Sequence, residues 1–130
     1  MKYYTTRNGD SIYRLAVIFY FRAELWTLMY FPNIDTIGND PHQLSVGLKL
    51  LIPDPPVEIQ KHIAVDGDSS LTLSKKYYGV MQFYRFIDEE NDCPPSLIPG
   101  NTYIIPALVS QVELDAARDL RREISVEFDR

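Results

Sequence analysis

Cysteine occurs once in the 130 residues, at position 93. No disulfide can therefore close within the chain, and such sparing use suits a reducing compartment. Cys93 reads as a small loop residue beside Pro94 and Pro95. Basic side chains are also short in supply, 13 against 18 acidic, for a net charge of −5. A nucleic-acid partner would call for a basic face, and anionic lipid for a polybasic segment, so neither nucleic acid nor membrane is expected as a partner. Long apolar runs are missing as well. The most apolar stretch, residues 12–31, is broken by Arg14, Arg22 and Glu24 and stopped by Pro32, and charges at those depths would be costly in a bilayer. Tyr3-Tyr4-Thr5-Thr6 reads as a strand where a secretion leader would place its apolar core, so cytoplasmic synthesis without a signal peptide is expected.

Chemistry-bearing patterns are equally scarce. His42 and His62 stand far apart and outside any metal-ligand spacing. Both read as solvated loop or strand residues, and no metal or other cofactor is expected. No Ser–His–Asp, Cys–His or phosphate-loop constellation is present. Asp88-Glu89-Glu90 are adjacent carboxylates at a helix end, whereas glycoside hydrolysis needs two held across a cleft in different environments. An enzyme is not expected.

What is present is a repeat. Apolar residues make up 45% and charged residues 24%, a balance that folds. Gly9-Asp10-Ser11 recurs as Gly67-Asp68-Ser69, and the segment Gly47 to Ile52-Pro53 recurs as Gly100 to Ile105-Pro106. Each copy opens with a β-prone run, Tyr3 to Arg7 and then His62 to Val65. Asn8-Gly9 and Asp66-Gly67 supply turns, and Asp10 or Ser11, with Asp68 or Ser69, can cap the helix that follows. Ile12, Leu15, Ala16 and Phe19 mark one helical face. Ser70, Leu73, Ser74 and Tyr77 mark its weaker equivalent, which Leu71 helps. A second helix carries Leu25, Leu28 and Met29 in the first copy and Phe83, Phe86 and Ile87 in the second. Asn33 and Asn91 follow these helices, where Asn tolerates left-handed geometry. The runs Leu48–Ile52 and Asn101–Ile105 suit pleated, half-buried strands.

The expected fold class is therefore α+β: two tandem small βααβ modules plus a carboxy-terminal helical or extended arm. The expected boundaries are residues 1–53 for the first module, 54–60 for a proline-stiffened linker, 61–106 for the second module and 107–130 for the arm. Cores of about 50 residues are marginal alone, so the modules should lean on each other or on a partner. In the arm, Leu114, Ala117, Leu120 and Ile124 form a narrow apolar stripe. Ile124 to Phe128 alternates as an edge strand would. Either the arm folds back over the modules or it docks on a partner. The second is preferred, which makes Leu114, Leu120, Ile124, Val126 and Phe128 partner-binding candidates. Trp26 and Tyr84 occupy equivalent positions just off the core face; they read either as half-exposed anchors, which adds them to these candidates, or as packing between the modules.

The ordered set of strand, Gly-Asp-Ser, two helices, Asn, and a closing strand ending Ile-Pro resembles the LysM family, in two copies over residues 2–53 and 60–106. LysM modules bind polymers of N-acetylglucosamine such as peptidoglycan and chitin. The resemblance implies a shallow groove between the loop after the first strand and the loop before the last. Carried over, that groove involves Gly9, Asp10, Ser11, Asn33 and Ile34 in the first copy, and Gly67, Asp68, Ser69, Asn91 and Asp92 in the second. Lys75-Lys76-Tyr77-Tyr78-Gly79 and Phe83-Tyr84-Arg85-Phe86-Ile87 look like the LysM proteins of phage tails and related contractile injection machines. That likeness implies a structural protein of a tail or baseplate, joining neighbouring subunits within a virion. The alternative implied function is a peptidoglycan-binding module pair.

Overall fold

The computed structural model describes residues 2–92 and 96–129. Cys93, expected in a loop, lies outside the described residues. The protein is of the α+β class, and its polypeptide divides into two compact units. The first joins residues 1–55 to 111–130, and the second is 56–110.

In the first unit, β1 (Lys2–Thr5) pairs antiparallel with β2 (Lys49–Ile52), Tyr4 opposite Leu50. Alternation turns Tyr4, Leu50 and Ile52 inward. Helix α1 (Ile12–Tyr20) follows, N-capped by the Ser11 side chain, which accepts from the Arg14 amide. Its residues Ile12, Leu15, Ala16, Ile18, Phe19 and Tyr20 are all buried, more than one face of a helix can hold. The chain then makes a 3-10 turn at Ala23–Leu25 and enters α2 (Trp26–Tyr30). A further turn through Pro32 leads to α3 (Ile34–Ile37), a short helix that the strand, helix, helix, strand order did not include.

The second unit repeats the order. β3 (Gln60–Ile63) pairs antiparallel with β4 (Thr102–Ile105), His62 opposite Tyr103. Helix α4 (Ser70–Tyr78) carries a full capping box between Ser69 and Thr72, and α5 (Tyr84–Glu90) follows a 3-10 turn at Met81–Phe83. Its core holds Leu73, Tyr78, Val80, Phe83, Ile87 and Ile105. Leu71, expected to support that core, is exposed instead, because it points away from the 73/74/77 stripe. The Leu108 amide donates to the Pro56 carbonyl (3.0 Å), which ties both ends of this unit together.

The arm is shared: residues 111–130 belong to the first unit and 107–110 to the second. Helix α6 (Gln111–Glu123) buries Ala117 and packs on α1. Residues 124–128 form no strand: the helix runs out through Ser125, at a positive φ of 57°, and the chain then reaches the open edge of β1. There the Asp129 amide donates to Tyr3 O (2.7 Å), and its carboxylate accepts from the Thr5 amide and hydroxyl. Val126 is buried and Phe128 stacks on Phe19 at 5.0 Å between centroids. The reason is compositional. The outer side of α1 carries Val17, Ile18 and Phe19 and needs a cover, while the equivalent stretch of α4 is Lys75-Lys76-Tyr77 and tolerates water. No helix among the described residues is long and apolar enough to cross a membrane.

Candidate functional site

Most of the residues expected to line the groove are held in the same structural contacts in both units. Asp10 Oδ2 accepts from the Arg7 amide (2.8 Å) and the Tyr4 hydroxyl (2.6 Å). Asp68 Oδ2 accepts from the Val65 amide (2.9 Å) and pairs with His62 Nε2 (2.8 Å). Each Asp thus pins the turn after the first strand to a ring on that strand. The capping falls to Ser11 and Ser69. Gly67, at φ +89°, takes the left-handed position that this turn requires, and Gly9 does the same at +87°.

The asparagines are clamps. Asn33 is buried, and its amide donates to Met29 O and Leu51 O (2.7 Å each) while its Oδ1 accepts from the Leu51 amide (2.8 Å). Asn91 does the same to Ile87 O, Ile104 O and the Ile104 amide. Neither is left-handed as expected: both have φ of −111°. The side chain, rather than an unusual backbone, is what the position needs. A third repeated contact was not foreseen. Tyr20 Oη donates to Pro53 O (2.7 Å) and Tyr78 Oη to Pro106 O (2.6 Å), joining the end of the first helix to the end of the last strand. The matching offsets of Tyr and Pro in the two copies were the available signal.

His62, read as solvated, is 8% exposed. Its Nδ1 sits 2.6 Å from the Tyr77 hydroxyl, completing an Asp68–His62–Tyr77 chain. The Val65 amide and then the His62 bond hold the Asp68 carboxyl below its ordinary value. Tyr4, in the position equivalent to His62, has its phenol pushed up to about 12, by burial first and by Asp10 second. Burial likewise raises Tyr20 and Tyr78.

What remains available for a ligand lies around these anchors. In the second unit the turn residues Asp66 and Gly67 are exposed, as is Asp92, which adopts a positive φ of 61°. Val65, Leu71 and Ile98 stand exposed on its loops and first helical turn. Sequence reasoning missed Val65 and Ile98, and the clue was their apolarity within turn-rich segments. In the first unit the loop through residues 38–47 is tied down: Thr6 Oγ1 donates to Ser45 O, the Gly47 amide to Thr6 O, and Tyr30 Oη to Gly38 O. Ile34 is half-buried beside it. His42, exposed as expected, stacks on Tyr13 (5.5 Å), which also meets Trp26 (5.4 Å). Trp26 in turn contacts Tyr30 (5.7 Å), so Tyr13, Trp26 and Tyr30 form an aromatic row. Tyr84 is half-buried, with the Arg85 guanidinium 5.9 Å from its ring centroid. In the arm, Leu114 and Leu120 are half-buried and Ile124 is exposed. Among the described residues no group of three or more His, Cys, Asp or Glu could hold a metal ion.

Neither a family model nor a curated protein matches the sequence. Among solved structures the chain is similar to the spore cortex-lytic enzyme SleL of Bacillus megaterium, with 29% identity and a TM-score of 0.31. That match covers 81% of this chain and 22% of the other, so the chain spans about a fifth of that protein's length.

Proposed function

We propose that the chain is a tandem LysM protein that binds a polymer of N-acetylglucosamine, peptidoglycan in the first instance, and that it is a binding protein rather than an enzyme. The observation that carries this reading is the double occurrence of one set of contacts. Asp10 and Asp68 pin the first turn, Asn33 and Asn91 clamp the second helix to the last strand, and Tyr20 and Tyr78 close the unit. The Asp and Asn pairs are residues of the LysM-like pattern, now with physical roles. The Asp contacts fix the loop end of each βααβ unit, the Tyr contacts close its opposite end, and the loop surface is left to the ligand. In the second unit that surface carries Val65, Leu71 and Ile98, apolar groups suited to the faces of sugar rings.

A pulldown on purified peptidoglycan tests the reading. Saturable binding is expected, weakened about tenfold by Leu71→Glu combined with Ile98→Glu, exposed positions whose change leaves the fold intact. A wild-type chain that stays in the supernatant would sink it.

A second reading has one observation in its favour. The first unit's loop is anchored over residues 38–47, and beside it runs the Tyr13–Trp26–Tyr30 row. Tyr13 and Trp26 are half-buried over the buried Tyr30, and large amphipathic rings so placed serve as anchors between proteins. On this reading the chain is a joint in a phage tail, baseplate or related contractile injection apparatus, and a stable joint would bury about 1,200–2,000 Å² in total. Finding the chain at fixed stoichiometry in isolated particles, with no affinity for peptidoglycan, would favour it.

A further inference from the structure

We propose that the first unit contains an anion-binding site centred on Arg121, which takes a carboxylate or phosphate group. This goes beyond the glycan reading and does not rest on it. A cavity of about 180 Å³ lies between the end of β2, helix α6 and the carboxy-terminal segment, with Lys2, Asp54, Asp115, Arg118, Arg121 and Phe128 in its wall. A volume of that order would hold roughly six waters at liquid density, enough for one oxyanion and part of its hydration.

The state of Arg121 points to what belongs there. Its guanidinium lies 5.1 Å from the ring centroids of both Phe19 and Phe128, and Nη1 donates to Ile18 O at 2.8 Å. No acidic side chain among the described residues pairs with it. Burial, and then the positive charge of Arg118, depress its pKa. A half-buried cation not paired with a carboxylate of the described residues is costly, and the two rings and one carbonyl offset only part of that cost.

Its neighbours are loosely engaged. Arg118, one turn away on the same face of α6, reaches Asp115 only at 3.7 Å and Asp119 at 4.0 Å, and Lys2 reaches Asp54 at 3.7 Å. A fully formed charge-assisted bond is about 2.7–2.9 Å, as Arg22 makes to Glu113 in this same unit, at 2.8 Å. Three cations against two carboxylates thus face the cavity, in a chain whose net charge is −5. The planar fork of an arginine matches the paired oxygens of a carboxylate or phosphate.

Inorganic phosphate and acetate, titrated separately into the intact chain against chloride at matched ionic strength, test this. The arginine side-chain Nε resonances report the site. Saturable shifts of the Arg121 and Arg118 signals are expected. Tighter binding of phosphate would identify a phosphoryl source, and tighter binding of acetate a carboxylate source. Arg118→Gln changes a half-exposed side chain with only long contacts, so the fold should persist while affinity drops about tenfold. Shifts no larger than in chloride, or affinity unchanged in Arg118→Gln, would overturn the proposal.

Discussion

Asn33 and Asn91 show how one side chain can stand in for an ordered element. The second helix and the last strand of each unit run past one another without a ladder between them. One primary amide supplies two donors and an acceptor across that gap. Asn33→Ala would leave the Leu51 amide and two carbonyls unpaired, a cost of about 1–3 kcal/mol. Urea unfolding should show that loss in the first unit, and a smaller one for Asn91→Ala, because Asn91 is less buried. Equal stability of Asn33→Ala and wild type would show that water replaces the clamp. Asp68 carries a pH dependence of known sign. Its carboxyl is held below 3.8 in the folded unit, so its contribution is complete above that value and disappears as pH falls through the lower, folded one. Amide signals of the second unit, followed through an acid titration, should therefore be lost faster below about pH 4 in wild type than in Asp68→Asn, which has no such carboxylate to protonate.

At the scale of elements, the sequence carried the order strand, helix, helix, strand twice, because glycine turns, serine caps and apolar spacing are local signals. It did not carry the partners of those signals. Asp10 and Asp68 read as caps or groove residues, since nothing local says that a ring six positions earlier reaches back to them. His62 read as solvated because its burial comes from Tyr77 and Asp68 on other elements. The end of the first helix shows what comparing the copies adds. Gly79 ends α4 in the left-handed region at φ 84°, and the residue in the same place after α1 is Phe21, at φ 68°. A side chain there is strained by about 1–2 kcal/mol. Phe21 is 44% exposed, so its packing offsets only part of that. Phe21→Gly should stabilise the first unit by about 1 kcal/mol, read as a higher urea midpoint. A lower midpoint would mean that the ring contributes more than the backbone costs.

At the scale of the molecule, the two copies share their contacts and differ in their surroundings. The first has an anchored loop and an arm drawn across α1 and the β1 edge, while the second keeps a polar α4 and exposed apolar loop residues. Sequence alone favoured docking of the arm on a partner over folding back, because an apolar stripe does not name what it covers, whereas in the structure α6 lies on α1. The first unit's α1, apolar beyond one face, supplied the answer. If the repeated clamps exist to present loops, a ligand should find the copy whose loops are bare. The most direct measurement is amide chemical-shift mapping of the intact chain with a soluble N-acetylglucosamine oligomer. Saturable shifts at residues 65–71 and 96–101 are the expected result. A spectrum that does not change, or changes only around α6, would contradict it.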